Sequence, residues 1–95
     1  MELINNTAKN RLELHIDGYV AFEDYKIQED SISYLHTEVP AELAGNGVGS
    51  TLAKMILDFA AEQHLKVKPI CPFIKAYIDK HPNYQANSVF HNPDL

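Results

Sequence analysis

Three glycines, Gly45, Gly47 and Gly49, fall within five residues, leaving Gly18 as the chain's other glycine. They stand between an apolar, β-branched run that ends at Val39-Pro40 and an amphipathic run that begins at Val48. Glycine takes up positive φ without strain and lets a ligand approach the backbone, so such a turn can aim successive N–H groups at an anion. A helix beginning there adds its unpaired first-turn donors and the positive end of its dipole. The chemistry on offer is phosphate binding by main-chain amides, with a tight ligand-free connection as the alternative. Rossmann-type dinucleotide binding is excluded, because the spacing lacks the Gly-x-Gly-x-x-Gly register and no β-α unit precedes it. A Walker loop fails for want of Gly-Lys-Ser/Thr.

Cys71 is the single cysteine, so it forms no internal disulfide, and the absence of a second thiol argues against a thiolate zinc site. Pro72 follows it and is a natural first residue of a helix, which puts the thiol at an N-cap, where the dipole favours thiolate. The alternative is a small buried hydrophobe. His36 and Glu38, two apart in a strand, share a face, and either could act as a general base. The alternatives are a structural histidine and a solvated glutamate. His81-Pro82 is explained as a helix stop. His15, His64 and His91 have no ligand spacing, so no metal is assigned.

These residues need elements to hold them. Leu12, Leu14 and Ile16 alternate with Arg11, Glu13 and His15, the period of a half-buried strand. Asp17-Gly18 is a hairpin signal before a second strand over Tyr19–Gln28, and Glu29-Asp30-Ser31 turns the chain into a third over Ile32–Val39, which Pro40 ends. Val48, Leu52, Met55, Ile56, Phe59 and Ala60 make one helical stripe from Gly47 to about His64. A strand over Leu65–Ile70 follows and is placed parallel to the third strand through a helical crossover. Phe73, Ile74, Tyr77 and Ile78 share the face of a second short helix, stopped at His81-Pro82. Asn83 to Leu95 shows little periodicity and reads as a loop or loosely docked end. The fold class is mixed α/β: an antiparallel meander, then a β-α-β unit and a second helix.

Ninety-five residues bound this to one small domain, residues 1–95. The 45% hydrophobic and 22% charged fractions are those of a globular chain. Thirteen acidic against eight basic side chains give a net charge of −5, with no basic cluster, which argues against nucleic acid as a partner. Neither a leader-like segment nor a long apolar run is present, so the expected location is cytoplasmic, with no membrane partner.

The order strand, Gly-x-Gly turn, amphipathic helix, strand resembles the coenzyme A core of the GCN5-related N-acetyltransferases. His36-Thr37-Glu38-Val39-Pro40, Gly45-Asn46-Gly47-Val48-Gly49, Cys71-Pro72-Phe73 and His81-Pro82-x-Tyr84 resemble the very short members that lack the usual N-terminal helices. The resemblance is clearest over residues 7–88. It implies acetyl-CoA-dependent transfer of an acetyl group to an amine borne by a protein side chain, a polyamine or a small molecule. Acetyl-CoA or coenzyme A would be the cosubstrate. Pyrophosphate would rest on the amides of Asn46, Gly47, Val48, Gly49, Ser50 and Thr51, and the pantetheine arm would pair with Thr37, Glu38 and Val39 beside Pro40. The thioester would arrive near Cys71, Pro72 and Phe73. Cys71 either accepts the acetyl group or lines its pocket, with His36 or Glu38 as base. Ala44 departs from the family's long polar residue, so phosphate would lean on the backbone and on Lys54. The alternative is a noncatalytic coenzyme A-binding or protein-interaction module.

Overall fold

In the computed structural model, which describes residues 1–95, the chain runs β1 (Ile4–Asn6), β2 (Arg11–Ile16), β3 (Tyr19–Gln28), β4 (Ser31–Glu38), α1 (Val48–Glu62), β5 (Lys66–Pro69) and α2 (Pro72–Lys80). Short 3-10 turns occupy Ala41–Leu43 and Pro82–Asn87. The hairpin between β2 and β3 forms where Asp17 and Gly18 both take positive φ, 52° and 82°, which matches the right-handed twist of the flanking strands. The strands lie in sequence order in one sheet: β1 to β4 are antiparallel, and β5 runs parallel to β4 after the α1 crossover.

The helical stripe read from the sequence is the face that α1 buries. Leu52, Ala53, Ile56 and Ala60 are fully enclosed, together with Leu12, Leu14, Ala21, Ile32 and Tyr34 of the sheet and Ile74 and Ile78 of α2. Each enclosed Leu or Ile contributes about 1.5–3 kcal/mol by leaving water. The Tyr34 hydroxyl donates to the Ile56 carbonyl at 2.6 Å, fixing α1 across β4. Neither helix is long and apolar enough to cross a membrane.

One irregularity positions the site. Tyr25 of β3 faces Tyr34 of β4, but the next β3 residue, Asp24, faces His36, so Leu35 is an extra residue without a partner. This bulge shifts the alternation of β4 by one: Ile32 and Tyr34 point into the core, and beyond Leu35 it is Thr37 that points inward while His36 and Glu38 turn out. The parallel ladder stops at the same place, with Tyr34 opposite Pro69, which has no N–H to give. Beyond it β4 keeps its β3 partner through Glu38 but has none on the β5 side.

Three sequence expectations need correction. β1 was not anticipated, since Ile4-Asn5-Asn6 carries no apolar alternation; β2 recruits it as one edge strand of the five-stranded sheet. The strand expected over Leu65–Ile70 is shorter, Lys66–Pro69. The tail expected to be loose is docked: Ser88 is fully buried, the Val89 amide donates to the Val67 carbonyl at 2.9 Å, and Asn87 Nδ2 donates to the Leu65 carbonyl at 2.8 Å. These contacts cover the outer edge of β5 without helical or strand periodicity.

Candidate active site

Cys71 is placed by three local features. β5 ends at Pro69, Pro72 starts α2, and the Cys71 amide donates to the Tyr34 carbonyl at 2.8 Å, holding the N-cap against β4 at the point where the two parallel strands part. The thiol is free and 4% exposed. Its Sγ lies 3.2 Å from Thr37 Oγ1, the side chain that the bulge turned inward.

Thr37 in turn donates to Glu23 Oε1, directly across the sheet in register. Glu23 is completely enclosed, in phase with Ala21 and Tyr25 on the core face of β3. Its Oε2 has no hydrogen-bond partner. Burial pushes its carboxyl up to about 7, against the opposing effects of the Thr37 hydroxyl and the nearby His36. The same enclosure, with the Glu23 charge close by, holds the Tyr34 phenol well above its ordinary value. Sequence reasoning missed Glu23. The available signal was an acid in phase with small and aromatic residues of a strand's buried face.

His36 and Glu38 share a face as expected and pair with each other, Nε2 to Oε1 at 3.2 Å, but it is the outer face of β4. Both side chains are more than half exposed. The structure therefore brings Cys71 and Thr37 together with Glu23 and leaves His36 and Glu38 on the other side of the strand.

At the glycine turn, Gly45 and Gly47 have φ of 84° and 71°, and a Cβ on either would meet nothing within 4 Å. Gly47 is the N-cap of α1 and has no side chain to satisfy the first-turn amides, nor does that turn carry an acid. Ser50 and Thr51 make no capping bond. Gly49 has a different role: it lies within α1, and a Cβ there would come 3.0 Å from the Phe73 ring of α2, so its bareness lets the two helices meet. Asn46 and Val48 flank Gly47, while Val39 packs at the core margin and Pro40 leads into the 3-10 turn. Lys54 pairs with Asp58 at 2.8 Å on the helix surface. His81 ends α2, its Nδ1 donating to the Tyr77 carbonyl at 2.6 Å. A groove of about 270 Å³ lined by Ser50, Phe73, Ala76, Tyr77, Lys80 and His81 runs between the start of α1 and α2.

Comparison with known proteins agrees with this fold. The family model described as GCN5-related N-acetyltransferase matches residues 11–87. The protein NATD1 of Xenopus tropicalis is 34% identical over 66 residues, which is 70% of this chain and 60% of the frog protein. Human NATD1 is 43% identical over 47 residues, half of this chain and 42% of the human protein. The chain thus spans roughly half the length of these relatives. The solution structure of a GCN5-like protein from Staphylococcus aureus superposes with a TM-score of 0.70 at 30% identity, covering 92% of this chain and 86% of the other.

Proposed function

The chain belongs to the GCN5-related N-acetyltransferase family, and on that premise we propose that it binds acetyl-CoA and transfers the acetyl group to an amine. The observation that carries the reading is the convergence at one strand end. The unpaired edge of β4 and the Cys71 thiol lie where β4 and β5 separate, and the close approach of Gly49 to Phe73 brings the glycine-capped start of α1 beside the residues that follow Cys71. The first-turn amides from Asn46 to Ser50 would hold the diphosphate, whereas the Thr51 amide, expected from the sequence to join them, donates to the Gly47 carbonyl at 3.0 Å. The open edge at Thr37, Glu38 and Val39 offers main-chain partners for the amide groups of the pantetheine arm. The groove between α1 and α2, lined by Phe73 of the first turn of α2 and Lys80 of its last, suits the remaining, anionic part of the carrier. The space beside Gly47 fits this assignment, since no protein atom fills it.

When bound, acetyl-CoA supplies an acetyl group already activated as a thioester. The chain's own contribution is Cys71, enclosed and oriented at the mouth of the opened strands, either as the acceptor of that acetyl group or as a wall of its pocket. His36 and Glu38 face away from this thiol and are assigned no part in acetyl transfer at Cys71. The net charge of −5 favours a cationic acceptor, which must lose a proton before it attacks.

Titrating acetyl-CoA and coenzyme A against thermal unfolding tests the reading. Carrier at a hundred times its dissociation constant is expected to add about 2.7 kcal/mol to stability. Gly47→Asn keeps the left-handed backbone, which asparagine tolerates, but puts a side chain into the open space, and it is expected to weaken binding about tenfold while leaving the free protein folded. A folded wild type indifferent to millimolar carrier overturns the proposal. Binding without transfer to any amine favours a noncatalytic coenzyme A-binding module.

A further inference from the structure

We infer that Glu23, acting through the Thr37 hydroxyl, is the positioning residue that receives the proton of the Cys71 thiol. The inference deepens the proposed reading of Cys71 and rests on it. Three observations carry it. Thr37 Oγ1 sits between two groups, 3.2 Å from the sulfur on one side and hydrogen-bonded to Glu23 Oε1 on the other. Glu23 is a fully enclosed carboxyl whose second oxygen has no partner, an arrangement that costs stability and so calls for a reason. The Leu35 bulge exists at the one place where it turns Thr37 towards both.

The step balances without any co-reactant. The Cys71 S–H bond breaks and its proton passes to Thr37 Oγ1 as the Thr37 O–H proton passes to Glu23 Oε1. The products are a thiolate, an unchanged hydroxyl and a neutral carboxylic acid, with no change in oxidation state. Burial disfavours charge on the carboxyl and on the sulfur alike, so the step moves one negative charge within the enclosed site, from Glu23 to a sulfur at the N-cap of α2, where the helix dipole favours the thiolate. With the carboxyl titrating at about 7, the proton is gained and released near neutral pH. The groups that bear on it are few. β4 presents Tyr34, His36 and Thr37, β3 presents Asp24 and Tyr25, the N-cap before α2 presents Cys71, and every buried residue of α1 is apolar. No lysine or arginine is among the groups that set its titration.

The test uses the full chain without any coenzyme A, so it can fail independently of acetyl-CoA binding. The alkylation rate of Cys71 by iodoacetamide is followed by intact mass across pH, alongside carbon-13 NMR of the Glu23 carboxyl to locate its titration. In the wild type the rate is expected to rise through a limb that tracks Glu23. In Glu23→Gln and in Thr37→Val that limb is lost, leaving only the rise of an ordinary thiol and a rate at neutral pH lower by about tenfold. Thr37→Ser, which restores the hydroxyl, is expected to restore the limb; a merely structural role for Thr37 would not distinguish Ser from Val by pH profile. Wild type and Glu23→Gln with the same profile, including no reaction in either, overturn the inference. So does a limb that survives in folded Thr37→Val.

Discussion

On the inner face of β4, Thr37 joins a fully enclosed carboxyl to a buried thiol. On the outer face, one residue to either side, His36 and Glu38 pair in contact with water. Both faces hold a carboxyl and a partner that can exchange protons with it, yet only one holds them away from solvent. Glu38 can be solvated whenever it is charged; Glu23 cannot, and one of its oxygens finds no donor. Reactivity on this strand is therefore set less by residue type than by which side of the sheet a one-residue bulge assigns to it.

The largest expected break in the comparison is Cys71→Ala. If the inner face is the reaction centre, acetyl transfer to an amine that the wild type accepts should fall on the order of a thousandfold, a mid-range figure for a group acting in the transition state. Wild type incubated with acetyl-CoA should gain the mass of one acetyl group, and the variant should not. Full transfer by Cys71→Ala would reduce the thiol to a pocket wall and leave the amine to attack the thioester directly.

Next comes the energetic cost of the enclosed acid. Because the folded carboxyl titrates at about 7 against a reference of 4.5, the folded state binds more protons between those values, and wild-type stability falls as pH rises through that window. The penalty is absent below about 4.5 and complete above about 7, where it amounts to roughly 3 kcal/mol. Glu23→Gln removes it, so denaturant unfolding should show the variant gaining on the wild type from mildly acidic to mildly alkaline pH. Glu38→Gln on the exposed face should change stability by less than about 0.5 kcal/mol. Parallel pH curves for wild type and Glu23→Gln would mean that water reaches the inner face.

The same contrast marks what could be read from the residues. Asp17-Gly18, the strand alternation and the α1 stripe are local signals, each sufficient for its element, and they carry the meander and the crossover. The family rests instead on the resemblance of the motifs around residues 45–49 and Cys71. The sharing of a face by His36 and Glu38 was equally local, and it holds. Which face it is depends on Leu35, and nothing in Tyr34-Leu35-His36 distinguishes a bulged residue from a paired one; only the register with β3 decides it. Glu23 carried one local signal, its phase with Ala21 and Tyr25 on the buried face of β3, but an acid at such a position is ordinarily exposed, so its enclosure shows only in the packed structure. The docked tail is held by isolated bonds, such as the side chain of Asn87 to Leu65 and the amide of Val89 to Val67, which leave no periodicity to find.

The smallest expected effect tests the outer face itself. His36→Ala removes one half of an exposed hydrogen-bonded pair, an ion pair only while the imidazole is protonated and then worth no more than about 1 kcal/mol and screened by salt, and breaks a tilted contact with Phe22 at 6.4 Å. Transfer rates should stay within about twofold of wild type, and the wild-type advantage, if any, should shrink as salt is raised. A loss beyond about tenfold in kcat, with the KM for acetyl-CoA unchanged, would say that the acceptor's amine approaches over this face and gives its proton to His36. The thiol on the inner side would then receive the acetyl group and the imidazole on the outer side would prepare the amine, and the two faces of β4 would be two halves of one reaction rather than a working side and an inert one.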